Sequence, residues 1–260
     1  MTAFENLVDT VRKLRVECPW DKEQTHESLR YALIEEAYEV VESIDEKNLE
    51  ELKKELGDLL LHVVYHSTIA EDNREFTLPS VIQNATDKLI RRHPHVFGNA
   101  KVSGPEEVKE NWEKIKLSEG RKSIVDGVPR ELPALLRAFR VQDKASKVGF
   151  DWEKKEDVWK KVEEESRELH AEAQKGDSTK TEEEFGDLLF AIVNYARFLR
   201  INPEYALRRT VDKFIERFQY IEAKLKEQGK DITKTSLEEM DKLWEEAKKA
   251  SPSPLRSTTS

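Results

Sequence analysis

Four pairs of acidic residues in this sequence are spaced for chemistry. Glu36 and Glu39, Glu55 and Asp58, Glu165 and Glu168, and Glu184 and Asp187 each stand three residues apart, which sets both carboxylates of a pair on one face of a helix. The first members of successive pairs are 19 residues apart in both places, Glu36 to Glu55 and Glu165 to Glu184. Antiparallel packing of two such helices would gather four carboxylates at the rim of an apolar core. Left empty, that cluster is unfavourable, because like charges about 5 Å apart at an effective dielectric near 20 repel by roughly 3 kcal/mol per pair. Hard divalent cations relieve the repulsion, and Mg²⁺ prefers oxygen ligands and retains waters that a substrate phosphate can replace. A lone Glu-x-x-Glu is commonly just a solvated acidic face. The return of the whole quartet at fixed spacing is what points to metal.

Other recurring residues carry the chemistry that a nucleotide would require. Lys88 and Arg92, matched by Lys213 and Arg217, place two cations one helical turn apart, a point charge and a planar fork suited to a polyphosphate. Trp112 with Lys116, matched by Trp244 with Lys248, offers an aromatic face one turn from another cation, suited to stacking on a base and holding a phosphate. Taken singly, lysine and arginine usually decorate a solvated face and tryptophan usually packs in a core; it is their joint recurrence that gives the functional reading equal standing. The histidines speak against a di-iron carboxylate bundle, which pairs Glu with His at i, i+3. His62 follows Asp58 by four residues, but its counterpart in the second quartet is Ala191.

The elements that must position these residues are helices. Leu33, Ala37, Val40, Val41 and Ile44 fall at helical spacing, as do Leu52, Leu56, Leu59, Leu60, Val63 and Val64. Val162 and Leu169, then Leu188, Leu189, Ile192 and Val193, repeat the pattern beside the second quartet. Whole segments recur in order: IEEAYEV at 34–40 as EEESREL at 163–169, ELGDLL at 55–60 as EFGDLLF from 184, DKLIRR at 87–92 as DKFIER at 212–217, and WEKIK at 112–116 as WEEAK at 244–248. Such order-preserving repeats mark a tandem duplication. The sequence predicts an all-α chain with an amino-terminal unit over 1–117, a Gly- and Pro-broken linker over 118–133, a carboxy-terminal unit over 134–250 and a disordered tail over 251–260. Each unit is expected to hold four or five helices, long and thin enough to want a partner surface. Gly57 and Gly186, at matching helix positions, suggest close helix approach.

Composition narrows the function classes. Only 9 Gly and 9 Pro occur in 260 residues, and charged residues make up 37%, which favours helices over turn-rich β architecture. One cysteine, Cys18, rules out an intramolecular disulfide and the CxxC pairs of a zinc ribbon, and it fits a cytoplasmic protein. Glu5 and Asp9 interrupt the stretch that a signal peptide would need to be apolar, and no apolar run approaches about 18 residues, so neither export nor membrane spanning is expected. A net charge of -9 repels a phosphate backbone at long range, so stable nucleic-acid binding is not expected, whereas a small phosphorylated ligand bridged by a cation remains open.

Together the motifs resemble the MazG-type nucleoside triphosphate pyrophosphohydrolases. The resemblance rests on CPWDKEQTHESL (18–29), the EExxE of Glu35, Glu36 and Glu39, ELGDLL (55–60) and RRHPHVFG (91–98). In the second half it rests on VGFDW (148–152), the EExxE of Glu164, Glu165 and Glu168, and FGDLLF (185–190). It implies an all-α tandem of MazG-like modules of four-helix-bundle type, completed by dimerisation. It also implies Mg²⁺-dependent hydrolysis of nucleoside triphosphates, ATP among them, to a monophosphate and pyrophosphate, a reaction suited to nucleotide-pool control. The implied metal ligands are Glu36, Glu39, Glu55 and Asp58 in one half and Glu165, Glu168, Glu184 and Asp187 in the other, with Glu35 and Glu164 as base or water-orienting groups. Lys213, Arg217, Trp244 and Lys248 match nucleotide-contact positions, and Lys88, Arg92, Trp112 and Lys116 mirror them. The resemblance credits activity to the carboxy-terminal half, although neither half lacks a ligand. A reading of another class, a non-catalytic nucleotide sensor or helical interaction module, would use the same residues and differ in turnover.

Overall fold

The computed structural model describes residues 1–120 and 122–250; the tail expected over 251–260 lies outside them. Among the described residues the regular structure is twelve α-helices and a short 3-10 turn, with no strand, as the all-α reading requires. The chain divides into two compact units, Met1–Ile115 and Lys116 onward.

The first unit holds α1 (Ala3–Glu17), α2 (Pro19–Glu23), α3 (Arg30–Asp45), α4 (Leu49–Asp72), α5 (Leu78–Arg92), α6 (Pro94–Phe97) and most of α7 (Pro105–Ser118). Two of these, α2 and α6, are short pieces opened by Pro19 and Pro94, where the missing N–H costs nothing. The second unit holds α8 (Ala134–Ser146), α9 (Lys155–Lys175), α10 (Ser178–Phe198), α11 (Pro203–Glu227) and α12 (Leu237–Ala250).

The duplication is visible at the helix ends. Asn48 caps α4 by accepting from the Glu51 N–H, and Asp177 caps α10 by accepting from the Lys180 N–H. Thr77 and Asn202 cap α5 and α11 in the same way, each followed by a proline in the first turn. Caps of this kind stabilise a helix by about 1 kcal/mol. Between α3 and α4, and again between α9 and α10, the chain reverses through one left-handed residue, Lys47 at φ 57 and Gly176 at φ 77. These short reversals make α3–α4 and α9–α10 antiparallel hairpins.

In the first unit Val8 and Val11 of α1, Leu29, Val64, Tyr65 and Ile69 of α4 and Leu78 of α5 form the core, with Leu7 and Leu61 packed against it. In the second, Ile221 and Leu225 of α11 meet Leu243 of α12, with Ile232, Met240 and Trp244 against them, while Val158 and Val162 of α9 and Ala191 and Val193 of α10 are buried as well. Much of the apolar stripe on the hairpins stays uncovered. Ile34, Tyr38 and Val41 on α3, Leu56 and Leu60 on α4, and Phe185, Leu189 and Phe190 on α10 are all exposed. The expectation of close helix approach at Gly57 and Gly186 is not met: nothing lies within 4 Å of a Cβ placed on either. Both sit on this open side of their helices, so their roughly 1 kcal/mol cost relative to Ala has no compensating contact among the described residues.

The stretch between α7 and α8 contains no helix among its described residues, yet it is anchored. The buried Lys144 of α8 donates from Nζ to the carbonyls of Ile124 and Asp126, which satisfies an ammonium that would be costly to bury alone.

Candidate metal centre

An antiparallel hairpin brings together residues equally far from its turn. Glu39 and Glu55 stand eight residues on either side of Lys47, and Glu36 and Asp58 eleven on either side; about Gly176 the same counts give Glu168 with Glu184 and Glu165 with Asp187. The side chains follow. Carboxylate oxygens of Glu36, Glu39 and Glu55 lie within 4.8 Å of one another, and so do those of Glu165, Glu184 and Asp187. Three of each expected quartet are thus gathered. The fourth, half-buried Asp58 or exposed Glu168, stays outside that distance but within electrostatic reach of Glu36 or Glu184.

The electrostatics show what the clustering costs. Burial, and then the nearby Asp58, raise the Glu36 carboxyl above its ordinary value. Burial, and then Glu168, Glu165 and Asp187, do the same to Glu184. Glu39 is raised first by its hydrogen bond with Glu55, while Glu55, only 3% exposed, is lowered chiefly by a hydrogen bond from Lys54.

Two lysines that the sequence reading passed over supply the compensating charge. Lys54 Nζ lies 2.9 Å from Glu55 and 2.7 Å from Glu51. Lys161 Nζ lies 2.7 Å from Glu165, itself 6% exposed, and 2.8 Å from Glu164. Both lysines are raised, Lys54 first by Glu51 and Lys161 first by Glu164. The i, i+4 spacing of Lys161 and Glu165 was a legible signal. Of the candidate bases, Glu164 is half exposed and engaged by Lys161, and Glu35 is exposed beside Glu36. The donor set suits a hard divalent ion: it is all carboxylate oxygen, it is partly buried, and in each unit its four acids outnumber the lysines within reach, Lys54 in the first and Lys161 and Lys175 in the second.

The expected nucleotide-contact residues occupy other helices, α5 with α7 and α11 with α12. They are joined within each unit by the same contact. The Arg92 guanidinium lies 5.5 Å from the Trp112 ring centre, and that of Arg217 lies 5.5 Å from the Trp244 ring centre, an arrangement worth about 0.5–2 kcal/mol. Trp244 is half-buried, packs against Ile221, Leu225 and Leu243, and meets Phe214 at 5.2 Å. Trp112 meets the His93 ring edge at 4.8 Å. Lys88 is exposed and Lys213 half-buried, Lys248 pairs with Glu245, and Lys116 follows Trp112 on α7 just past the division between the units.

Comparison with known proteins identifies the duplicated module. The model of the MazG nucleotide pyrophosphohydrolase domain matches residues 24–97 and again 153–221, each stretch containing one hairpin and its carboxylates. The nucleoside triphosphate pyrophosphohydrolase/pyrophosphatase MazG of Thermotoga maritima is 48% identical over 250 residues, covering 94% of this chain and 95% of its own. The nucleoside triphosphate pyrophosphohydrolase of Escherichia coli K12 is 39% identical over 258 residues, covering 96% and 98%. A solved structure, that of a MazG-related protein from Thermotoga maritima, aligns with 44% of this chain and 98% of its own at 29% identity and a TM-score of 0.40. With two copies of the domain matched and relatives aligned along nearly their whole length, this chain belongs to the MazG nucleotide pyrophosphohydrolase family.

Proposed function

We propose that this chain hydrolyses nucleoside triphosphates between the α and β phosphates, releasing a nucleoside monophosphate and pyrophosphate, with Mg²⁺ held by Glu36, Glu39, Glu55 and Asp58 in one unit and Glu165, Glu168, Glu184 and Asp187 in the other. The observation that carries the reading is the carboxylate cluster built twice at equal distances from two hairpin turns. When bound, such ions lower the pKa of a coordinated water and offset charge on phosphate oxygens. The chain's own groups do the rest. Glu164, half exposed beside the cluster, orients the attacking water or takes its proton, and Glu35 has the corresponding place in the first unit. Lys213 and Arg217, with Lys248, hold phosphates, and Lys88, Arg92 and Lys116 mirror them. Trp244 and Trp112 present what their arginines leave of the ring to a base. The Arg217 guanidinium is fixed over Trp244, so its fork is placed before substrate arrives, which saves ordering entropy.

The uncovered apolar faces of α3, α4 and α10 support a homodimer in which a second copy completes each hairpin as a four-helix bundle. No helix among the described residues is long and apolar enough to cross a membrane; that and the lone Cys18 support a cytoplasmic role in nucleotide-pool control.

The test is a pyrophosphate-release assay over the ribo- and deoxyribonucleoside triphosphates, with and without Mg²⁺, for the native chain and for Glu36→Gln combined with Glu165→Gln. Equal amounts of monophosphate and pyrophosphate, formed only with the metal and lost in the double variant, are expected. Nucleotide bound but never consumed would instead identify a sensor.

A further inference from the structure

Three histidines of the first unit make contacts that the carboxylate chemistry does not use. His62 and His66 stand four residues apart on α4, the spacing at which two imidazoles on one helix face share an ion. His62 Nδ1 and His66 Nε2 are both buried without a hydrogen-bond partner among the described residues, a state that is unfavourable for a polar nitrogen.

The protons around His66 follow from geometry. Its Nδ1 lies 2.8 Å from Nδ1 of His26, and the two rings are within 8° of parallel with centres 5.1 Å apart. The centre separation exceeds the N···N distance by two ring radii, so the rings lie edge to edge in one plane and share a single N–H···N bond. His26 Nε2 faces the Glu75 carboxylate at 3.8 Å, which favours a proton on that nitrogen. In that tautomer His26 accepts at Nδ1, and His66 donates from Nδ1. His66 Nε2 is left with a bare lone pair, buried and unpartnered. Burial, with His26 and His62 beside it, lowers the His66 pKa.

We propose that His62 Nδ1 and His66 Nε2 bind one borderline divalent cation of the zinc class that Mg²⁺ does not displace, with water completing its shell. Imidazole nitrogen suits such ions, whereas carboxylate oxygen suits Mg²⁺. The two ring centres are 6.2 Å apart at 33°; an ion about 2.1 Å from each nitrogen spans roughly 6.4 Å only when N–metal–N is linear, so the rings close by about 1 Å to reach a tetrahedral angle. A ligating imidazole normally donates its other N–H to an acceptor that fixes its orientation and raises its basicity; His26, backed by Glu75, does this for His66. At the matching positions of the second unit stand Ala191 and Tyr195, so the chain holds one such site. The proposal does not depend on the reaction.

Cobalt(II) is the probe, titrated into the full chain with Mg²⁺ saturating the carboxylates and followed by visible absorption. One Mg²⁺-resistant Co²⁺ per chain is expected. Its affinity should fall at least tenfold in His62→Ala and His66→Ala, fall about tenfold in Glu75→Gln, and stay unchanged in Glu165→Gln. Imidazole ¹⁵N shifts of the native chain with Zn²⁺ give a second readout that needs no variant, with the His66 Nε2 resonance moving on addition. Absence of a Mg²⁺-resistant site, a site that survives both histidine substitutions in folded protein, or unmoved ¹⁵N shifts would overturn the proposal and leave the two nitrogens to buried water.

Discussion

The two hairpins share one geometry and solve its electrostatics differently. In α3–α4 the most buried acid is Glu55 on the second helix, and Lys54 beside it supplies the positive charge. In α9–α10 it is Glu165 on the first helix, with Lys161 from the same helix against it. The gathered triads differ accordingly: Glu39 is in and Asp58 out in the first, Asp187 in and Glu168 out in the second. Distance from the turn fixes where four carboxylates stand, and in each hairpin the acid paired with a lysine is the most buried of them. Behind the clusters the divergence is wider. The first unit has His62 and His66 where the second has Ala191 and Tyr195, and Tyr195 packs on Trp159 at 4.9 Å.

The largest expected effect asks whether both clusters turn over. If the carboxy-terminal unit carries turnover, Glu168→Ala should lower pyrophosphate release by at least ~100-fold, since a lost ligand would forfeit several kcal/mol of charge stabilisation, and Glu39→Ala, its counterpart in the other unit, should cost far less. Equal losses would make the units catalytic equals, and no loss in either would remove both from the machinery.

Next in size is a contrast in stability. Trp244 packs against a core of buried leucine and isoleucine, whereas Trp112, also half-buried, meets Arg92 and His93. Trp244→Ala should therefore destabilise its unit by about 3 kcal/mol and Trp112→Ala by about 1 kcal/mol, read from denaturant midpoints. Kinetics on the same variant separate packing from binding: a fall in stability with KM unchanged in the folded fraction would remove the base-stacking role of Trp244.

The pH dependence distinguishes the hairpins more finely. A carboxyl raised on folding favours the folded state below its ordinary value of 4.5, and that advantage is lost as the pH climbs through the folded value. Glu184 behaves so, and without metal Glu184→Gln should melt higher than the native chain at pH 7 and together with it near pH 4. In the first hairpin Glu55 is lowered and acts in the opposite sense, its contribution present above the ordinary value and lost as the pH falls. Glu36→Gln should consequently leave a first unit that still weakens in acid, and a melting temperature flat from pH 4 to 7 would contradict the opposed pair.

The smallest effect concerns the turns. Lys47 and Gly176 are both left-handed, and only glycine adopts that conformation freely. Lys47→Gly should stabilise by up to about 1 kcal/mol and Gly176→Ala should destabilise by a similar amount. A loss on Lys47→Gly would show that its side chain holds the first hairpin.

The carboxylate pairs were legible in the sequence because the helical period and a short reversal convert spacing into place: once Lys47 or Gly176 is the turn, equal counts in either direction meet. The all-α class and the duplication were legible for a similar reason, since stripe, quartet and basic pair recur together in order. Choices made across helices were not. Which three of four acids converge depends on rotamers and on Lys54 or Lys161. The placing of Arg92 over Trp112 depends on how α5 meets α7, and His26 finds His66 forty residues away through packing that no local pattern encodes. Gly57 and Gly186 misled because a helix glycine carries the same letter whether a neighbour lies against it or its face stands open.

Counting bound Mn²⁺ per chain, by its paramagnetic resonance, tests most directly whether each hairpin holds its own ions. Glu36→Gln and Glu165→Gln should each remove about half of the ions that the native chain binds, and the double variant nearly all. A count unchanged in both single variants would contradict a metal site in either hairpin.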